Sequence, residues 1–366
     1  MKIFKSIYLD LKLMVPILII LLIGYIMIFS TTSLKGLSEY SDAYFFIKKH
    51  SVFLVGGLIM FTIGSLIPVE KYKKVAFFGY ILSCIILIIT LIPSIGVESG
   101  GAQRWIRIFG FQFQPVEFMK FWWAIAVSYS LSNKQNALTS FVKGIIPIFI
   151  IMVMPISLLL MQPDLGNSIL LLLVSFTLLL LSPIKLRVLL LGLIFGAITV
   201  CWSVATHPYQ LLRIKSFLNP WLDPLGINYH IIQSFTAIGS GGVFGFGIGE
   251  SRLKYFYLPL HYSDFIFAIL CEEGGLLLSC VVIFSFIAIM ARGIQIALRH
   301  FKYSFEQFLA ISLVSILMFQ AIINICVVIG LFPITGIPLT FISYGGTSLL
   351  SSLFSFGVLY RLGRNK

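Results

Sequence analysis

The sequence predicts an all-α fold, a polytopic integral membrane protein with ten transmembrane helices. Hydrophobic residues make up 59% of the 366 positions and charged residues only 11%. The mean hydropathy of +1.03 lies far above the soluble range. Uncharged stretches recur at about the 20-residue length that crosses a hydrocarbon core.

Six spans are read from stretches free of Asp, Glu, Lys and Arg, at 13–34, 50–69, 75–97, 144–163, 165–184 and 188–212. The first has spanning length and no small-residue cleavage site, so it is read as a helix rather than a removed signal peptide. A seventh fits 116–133, with Glu117 and Lys120 near its start, and an eighth fits 264–291, with Asp264, Glu272 and Glu273 inside it. Residues 307–360 are uncharged over 54 positions, too long for one helix and broken around Pro333 and Pro338, so they supply the last two.

An even number of spans puts both termini on one side, and the basic residues say which. Of 26 Lys and Arg, 16 fall with the termini, nine on the other side and Lys120 within a helix. The positive-inside rule then makes the termini cytoplasmic and the long segment at about 207–263 extracytoplasmic, within one membrane domain spanning 1–366. The net charge of +13 is mostly this orientation signal, so no nucleic acid is expected as a partner. The five cysteines lie in apolar runs without a CxxC pair and say nothing about disulfides; the five histidines form no i, i+4 pair, so no dedicated zinc site is expected. Six glycines between Gly239 and Gly249 lack both the GxGxxG spacing and a following Gly-Lys-Ser/Thr, which excludes a nucleotide loop and leaves flexible backbone near a membrane-surface substrate.

Polar chemistry collects on the outer face. In "GAQRWIRIFGFQFQPVEFMK", Arg104 and Arg107 flank Trp105, a pattern suited to lipid headgroups or plain interfacial anchoring. Glu117 and Lys120 lie three apart, where an ion pair lowers the cost of embedding both. In "MQPDLGNS", Asp164 either serves the site or caps the next helix. Tyr229 to Ile238 reads as a surface helix. On a helix advancing about 100° per residue, Glu272 lies about 80° round from Asp264 and Glu273 opposite it. The three acids therefore form no single cluster. Asp264, at the outer mouth, is assigned to chemistry, and the glutamates to polar contacts between helices.

The order "GAQRWI…FQPVEFMK", "QPDLG", "FLNPWLDPLG", "YHIIQS…AIGSGG", "LP…SDFIFAILCEE" and "FPITGIPLTFISYGGTS" resembles the SEDS family, typified by FtsW and RodA, along nearly the whole chain. "DAYFFIKKH" and "GIGESRLKYFYLP" look closer to the FtsW and sporulation branch, whereas "YHIIQS" and "TGIPL" pull toward RodA. The pattern departs at Val116, Leu260, Ser263, Gly274 and Thr340.

The resemblance implies the SEDS fold and a peptidoglycan glycosyltransferase in the bacterial cytoplasmic (inner) membrane. Its substrate would be lipid II, an undecaprenyl-pyrophosphate disaccharide-pentapeptide. Its partners would be a class B penicillin-binding protein within a divisome or elongation complex, and membrane lipids. It also makes Asp264 the catalytic aspartate, with Glu117, Lys120 and Asp164 lining a central cavity. The signature Ile342–Ser348 borders that cavity through Ser343, Gly345, Gly346 and Thr347, and His261 joins the candidates. Arg104, Arg107, Arg213, Lys215 and Arg252 are candidates for the leaving pyrophosphate. No cofactor is required by the sequence, and a divalent cation, Mg or Mn, would be able to share that role. The rival readings are a lipid II flippase, with Glu272 and Glu273 coupling protons, and a scaffold without activity.

Overall fold

The computed structural model describes residues 10–99, 102–108, 111–133, 135, 141–221, 223–224, 226, 228–252 and 262–364. Each stretch read as a span contains a helix, though 75–97 is helical only from Ala76 to Thr90. In order they are α1 (Leu11–Tyr40), α2 (Phe45–Leu66), α4 (Ala76–Thr90), α5 (Pro115–Asn133), α6 (Ile146–Met161, entered through a π-helical turn), α7 (Leu165–Leu181), α8 (Leu186–Thr206), α11 (Ile266–Leu298), α12 (Phe305–Val328) and α13 (Gly346–Arg364). Short α3 (Val69–Lys74) precedes α4, and α9 (Pro208–Leu218) and α10 (Tyr229–Gly241) follow α8.

Among the described residues, six of these helices are long and apolar enough to cross a membrane: α1, α2, α6 with its leading turn, α8, α11 and α12. Helices α4 and α7 are apolar but shorter. Helices α5 and α13 reach 19 residues and turn their polar side chains inward, α5 burying Glu117, Lys120, Ser128 and Ser130, and α13 burying Ser348, Ser352 and Ser355. Buried polar side chains need partners close by. Helix α12 supplies many of them as the hub of the bundle, in contact with α5, α7, α11 and α13.

Three local structures depart from the sequence reading. The polar connection 95–115 contains a three-stranded antiparallel sheet, β1 (Gly96–Ser99), β2 (Ala102–Ile108) and β3 (Phe111–Phe113). Successive strand residues face opposite ways, so Arg104 shares a face with buried Ile106 while Arg107 turns outward. The run 188–212 is interrupted at His207, where Pro208 opens α9. Helix α10 forms as expected but is more than a surface helix: it lies against α11, buries Ile231 and Ala237, and donates from Ser234 Oγ to the Val328 carbonyl at 2.7 Å.

Helix α11 is broken at Gly275, whose φ of 63° and ψ of −165° suit glycine alone. The glycine-rich segment after α10 fills the break. Phe246 N and Gly247 N donate to the Glu272 and Glu273 carbonyls at 3.0 and 2.9 Å, and Leu276 N and Leu277 N donate to the Gly242 and Val243 carbonyls at 3.0 and 3.2 Å. Backbone groups freed inside a membrane bundle must be satisfied this way. The glycines are therefore an ordered plug rather than flexible backbone. A Cβ on Gly245 would lie 2.2 Å from the Glu273 carbonyl oxygen.

At the other end of α11, Arg292 grips the Asp10 carboxylate at 2.7–3.1 Å, and Asp10 lies 3.9 Å from where a Gly363 Cβ would stand.

Candidate functional site

Asp264 sits in the turn Tyr262–Phe265 that precedes α11, so the helical angles used to separate it from the glutamates do not apply. Three consecutive carbonyls fix this turn: Tyr344 N donates to Tyr262 at 3.0 Å, Ser343 Oγ to Ser263 at 2.5 Å and Asn324 Nδ2 to Asp264 at 2.8 Å. Asn324 Nδ2 also donates to the Ile337 carbonyl at 2.8 Å, tying the turn to the non-helical stretch between α12 and α13. His230 of α10 stacks on Phe265, ring centroids 5.9 Å apart.

Within that stretch Gly336 has a φ of +75°, and a Cβ there would lie 3.5 Å from Arg104 Nη1 and 3.6 Å from Asp264 Oδ2. A bare glycine thus separates the acid from an arginine. Arg104 reaches in from β2, donates from Nη2 to the Pro163 carbonyl at 2.6 Å and places Nε 3.7 Å from Asp164 Oδ2, too far for a hydrogen bond. Its buried Nε has no hydrogen-bond partner among the described residues. Arg213, from α9, donates to the Ile334 carbonyl at 3.0 Å, hydrogen-bonds the Tyr209 hydroxyl and stacks 4.4 Å over that ring. The Asp264 carboxyl is pushed above the usual carboxylate range by burial, against the opposing pull of Arg213, the Ser263 hydroxyl and Arg104.

Asp164 follows the capping reading. It caps α7, accepting from Asn167 N at 3.2 Å and Asn167 Nδ2 at 2.8 Å, and it faces Arg104. Deeper in, Lys120 donates to Glu117 and to Gln320 Oε1 of α12, both at 2.7 Å. Gln320 Nε2 reaches the Pro338 carbonyl and Ser348 Oγ, each at 3.3 Å, and Ser351 Oγ donates to the Glu117 carbonyl at 2.7 Å.

The remaining candidates divide. Ser343 links two loops, accepting from Leu339 N at 2.8 Å while donating to Ser263. Gly345, Gly346 and Thr347 form the entry to α13, and a Cβ on Gly346 would strike the Phe53 ring at 2.5 Å. These glycines and Ser343 shape backbone. The charged groups acting on Asp264 are Arg213 and Arg104. Arg107, Lys215 and Arg252 are exposed elsewhere, Arg252 with its guanidinium 4.9 Å over the Phe246 ring. His261 lies outside the described residues.

The glutamates also differ from expectation. Glu273 accepts from Ser30 Oγ of α1 at 2.6 Å, an interhelical contact as foreseen, and from Ser251 N at 3.3 Å. Glu272 accepts from Ser251 Oγ and from Arg252 N at 3.0 Å, holding a loop rather than a helix. Among the described residues no three His, Cys, Asp or Glu side chains gather into a metal site.

Sequence reasoning passed over Gln320, Asn324, Tyr209 and His230. The signal for two of them was present: Gln320 and Asn324 are amides four apart on one face of a helix whose one charged residue, Glu306, lies in its first turn.

Fold and site define a multi-helical membrane protein whose charged groups converge at one mouth of the bundle. The family model of the FtsW, RodA and SpoVE cell cycle proteins matches residues 11–366, and the chain belongs to this SEDS family. It is 36% identical over 351 residues to a probable peptidoglycan glycosyltransferase FtsW of Geobacter sp. (strain M18), covering 96% of this chain and 95% of that one. It is 37% identical over 357 residues to stage V sporulation protein E of Bacillus subtilis (strain 168), covering 97% of each. A solved peptidoglycan synthase complex, described as coordinating polymerization and crosslinking, has a chain that superposes with a TM-score of 0.80 at 25% identity, covering 98% of this chain and 99% of that one. RodA of Thermus thermophilus superposes with a TM-score of 0.71 at 23% identity, covering 97% of each chain.

Proposed function

We propose that this protein is a peptidoglycan glycosyltransferase of the FtsW type. It polymerises lipid II on the outer face of the bacterial cytoplasmic membrane during cell division, with both termini cytoplasmic. The observation that carries this reading is the meeting of Asp264 and Arg104 across Gly336, with Arg213, held at the nearby Ile334 carbonyl, also acting on Asp264 at a mouth of an apolar bundle.

In the reaction, the 4-hydroxyl oxygen of one GlcNAc attacks C1 of MurNAc on the other substrate. The C1–O bond to undecaprenyl pyrophosphate breaks, the anomeric centre inverts and the hydroxyl proton passes to the Asp264 carboxylate. A base held above the ordinary carboxylate range accepts that proton more readily. Arg104 and Arg213 face the negative charge that grows on the leaving pyrophosphate, where preorganised donors act most strongly. An apolar groove of about 570 Å³ between α6 and α8, lined by Phe149, Val153, Leu191 and Phe195 among others, offers a polyprenyl tail a route along the bundle.

The flippase reading drew on Glu272 and Glu273. Both are engaged with Ser30, Ser251 and Arg252, so they serve a fixed contact better than a travelling proton. Crosslinking is assigned to a class B penicillin-binding protein that docks on this protein. The test is polymerisation of labelled lipid II by purified protein, alone and with its cognate synthase. Glycan strands that disappear with Asp264→Asn support the reading; lipid II movement across vesicles without any polymer overturns it.

A further inference from the structure

Because α11 is broken at Gly275, its nine leading residues, Ile266–Gly274, form a half-helix whose direction the rest of α11 does not set. Asp264 stands just ahead of its leading end. At that end the turn is held by Asn324, Ser343 and Tyr344. At its trailing end stand Glu272 and Glu273, each 1% exposed. Their carboxylates accept from Ser251 Oγ, Arg252 N, Ser251 N and Ser30 Oγ, which ties the half-helix to the loop after α10 and to α1.

We propose that Glu272 and Glu273 are positioning residues for Asp264, which fix the tilt of the half-helix that carries it. The proposal rests on Asp264 being the base of the transfer reaction. A nine-residue helix is about 13 Å long, so a tilt of about 5° at its root moves its tip by about 1 Å. Misplacement by about 1 Å costs a well-oriented reaction about 10²-fold. Two buried carboxylates are an expensive way to make a purely structural joint, since burial of charge demands several good hydrogen bonds in return. Here those bonds add side-chain ties from α1 and from the loop after α10 to the backbone bonds that already join the glycine plug to Glu272 and Glu273.

The test removes donors and leaves both carboxylates in place. Ser30→Ala, Ser251→Ala and their double variant are purified with the cognate synthase and assayed for lipid II polymerisation. Hydrogen exchange is followed at the amides of Ile266–Glu273. The double variant is expected to lose about tenfold in kcat with KM within about twofold, and to exchange faster across the half-helix. Ser30→Thr, which keeps the hydroxyl, is expected to retain the wild-type rate. An unchanged kcat in the double variant overturns the proposal, as does a fall in kcat with unaltered exchange, or a fall that only follows a lowered melting temperature and is shared by Ser30→Thr. If Asp264→Asn polymerises at the wild-type rate, the base reading fails by itself, and the exchange measurement still decides whether the glutamates hold the half-helix.

Discussion

Two charged clusters in the bundle are built on opposite plans. Glu117 and Lys120 are closed on themselves: the 2.7 Å ion pair is completed by Gln320, and each side chain is 3% exposed. Arg104, Arg213 and Asp264 are left open. Both guanidiniums spend donors on backbone carbonyls, Arg104 Nε stays without a partner among the described residues, and Asp264 keeps part of its surface exposed. The first cluster neutralises its charge internally and contributes to cohesion among α5, α12 and α13. On the proposed function, the second keeps charge in reserve for a ligand. The difference shows why burial of a charged group is a poor guide to catalysis unless its partners are counted.

The largest effect expected is at the open cluster. Asp264→Asn keeps the shape and removes the proposed base, and lipid II polymerisation should fall by about 10²–10⁴-fold with insertion and partner binding intact. A rate close to wild type would remove the contrast between the clusters.

Next is Arg213→Gln, expected to cost about 10²-fold through the lost stabilisation of the leaving group. It also has a signature in pH. The base must be ionised, so activity falls as pH drops through the raised Asp264 pKa. Arg213 holds that pKa down, so its removal should move the acid limb of the kcat/KM profile to higher pH. A limb that stays in place would mean that Arg213 does not act on Asp264.

At the closed cluster, Glu117→Gln strands the Lys120 ammonium and should cost about 3–5 kcal/mol of stability, read as a lower unfolding temperature in detergent. The rate per folded molecule should change much less than with Asp264→Asn, and exchanging the two residues should recover part of the stability. A large loss of turnover in fully stable Glu117→Gln protein would place this cluster in the chemistry. The smallest effect is expected at Arg107→Gln, within about twofold of wild type, because β2 turns this residue outward.

The helices were legible because a bilayer imposes a length, and uncharged runs of that length have few alternatives. The open cluster was legible only in part. Asp264 stood out as an acid at a helix mouth, but Arg104 and Arg107 look alike in sequence until the pairing of Arg107 with Gln112, one residue after Ile106 pairs with Phe113, sets them on opposite faces of a strand. The break in α11 was hidden as well. Gly274-Gly275 in an apolar run is compatible with a continuous helix, and the partner that makes the break tolerable, the glycine plug, lies about 30 residues earlier in the chain. The helical angles drawn from Asp264 to Glu272 and Glu273 failed at the other end, because Asp264 lies in the turn ahead of α11 and outside its periodicity.

The grip of Arg292 on Asp10, with Gly363 alongside, brings the start of α1 and the end of α13 together, while Lys35 at the far end of α1 reaches Tyr262 at 3.0 Å beside Asp264. The start of the first described helix and the end of the last therefore lie side by side. A short glycine-serine linker between them, with new ends opened between α9 and α10, would yield a circular permutant that preserves each helix neighbour. Its termini would emerge at the catalytic mouth instead of the opposite pole, where a reporter or a tether would sit beside the growing glycan.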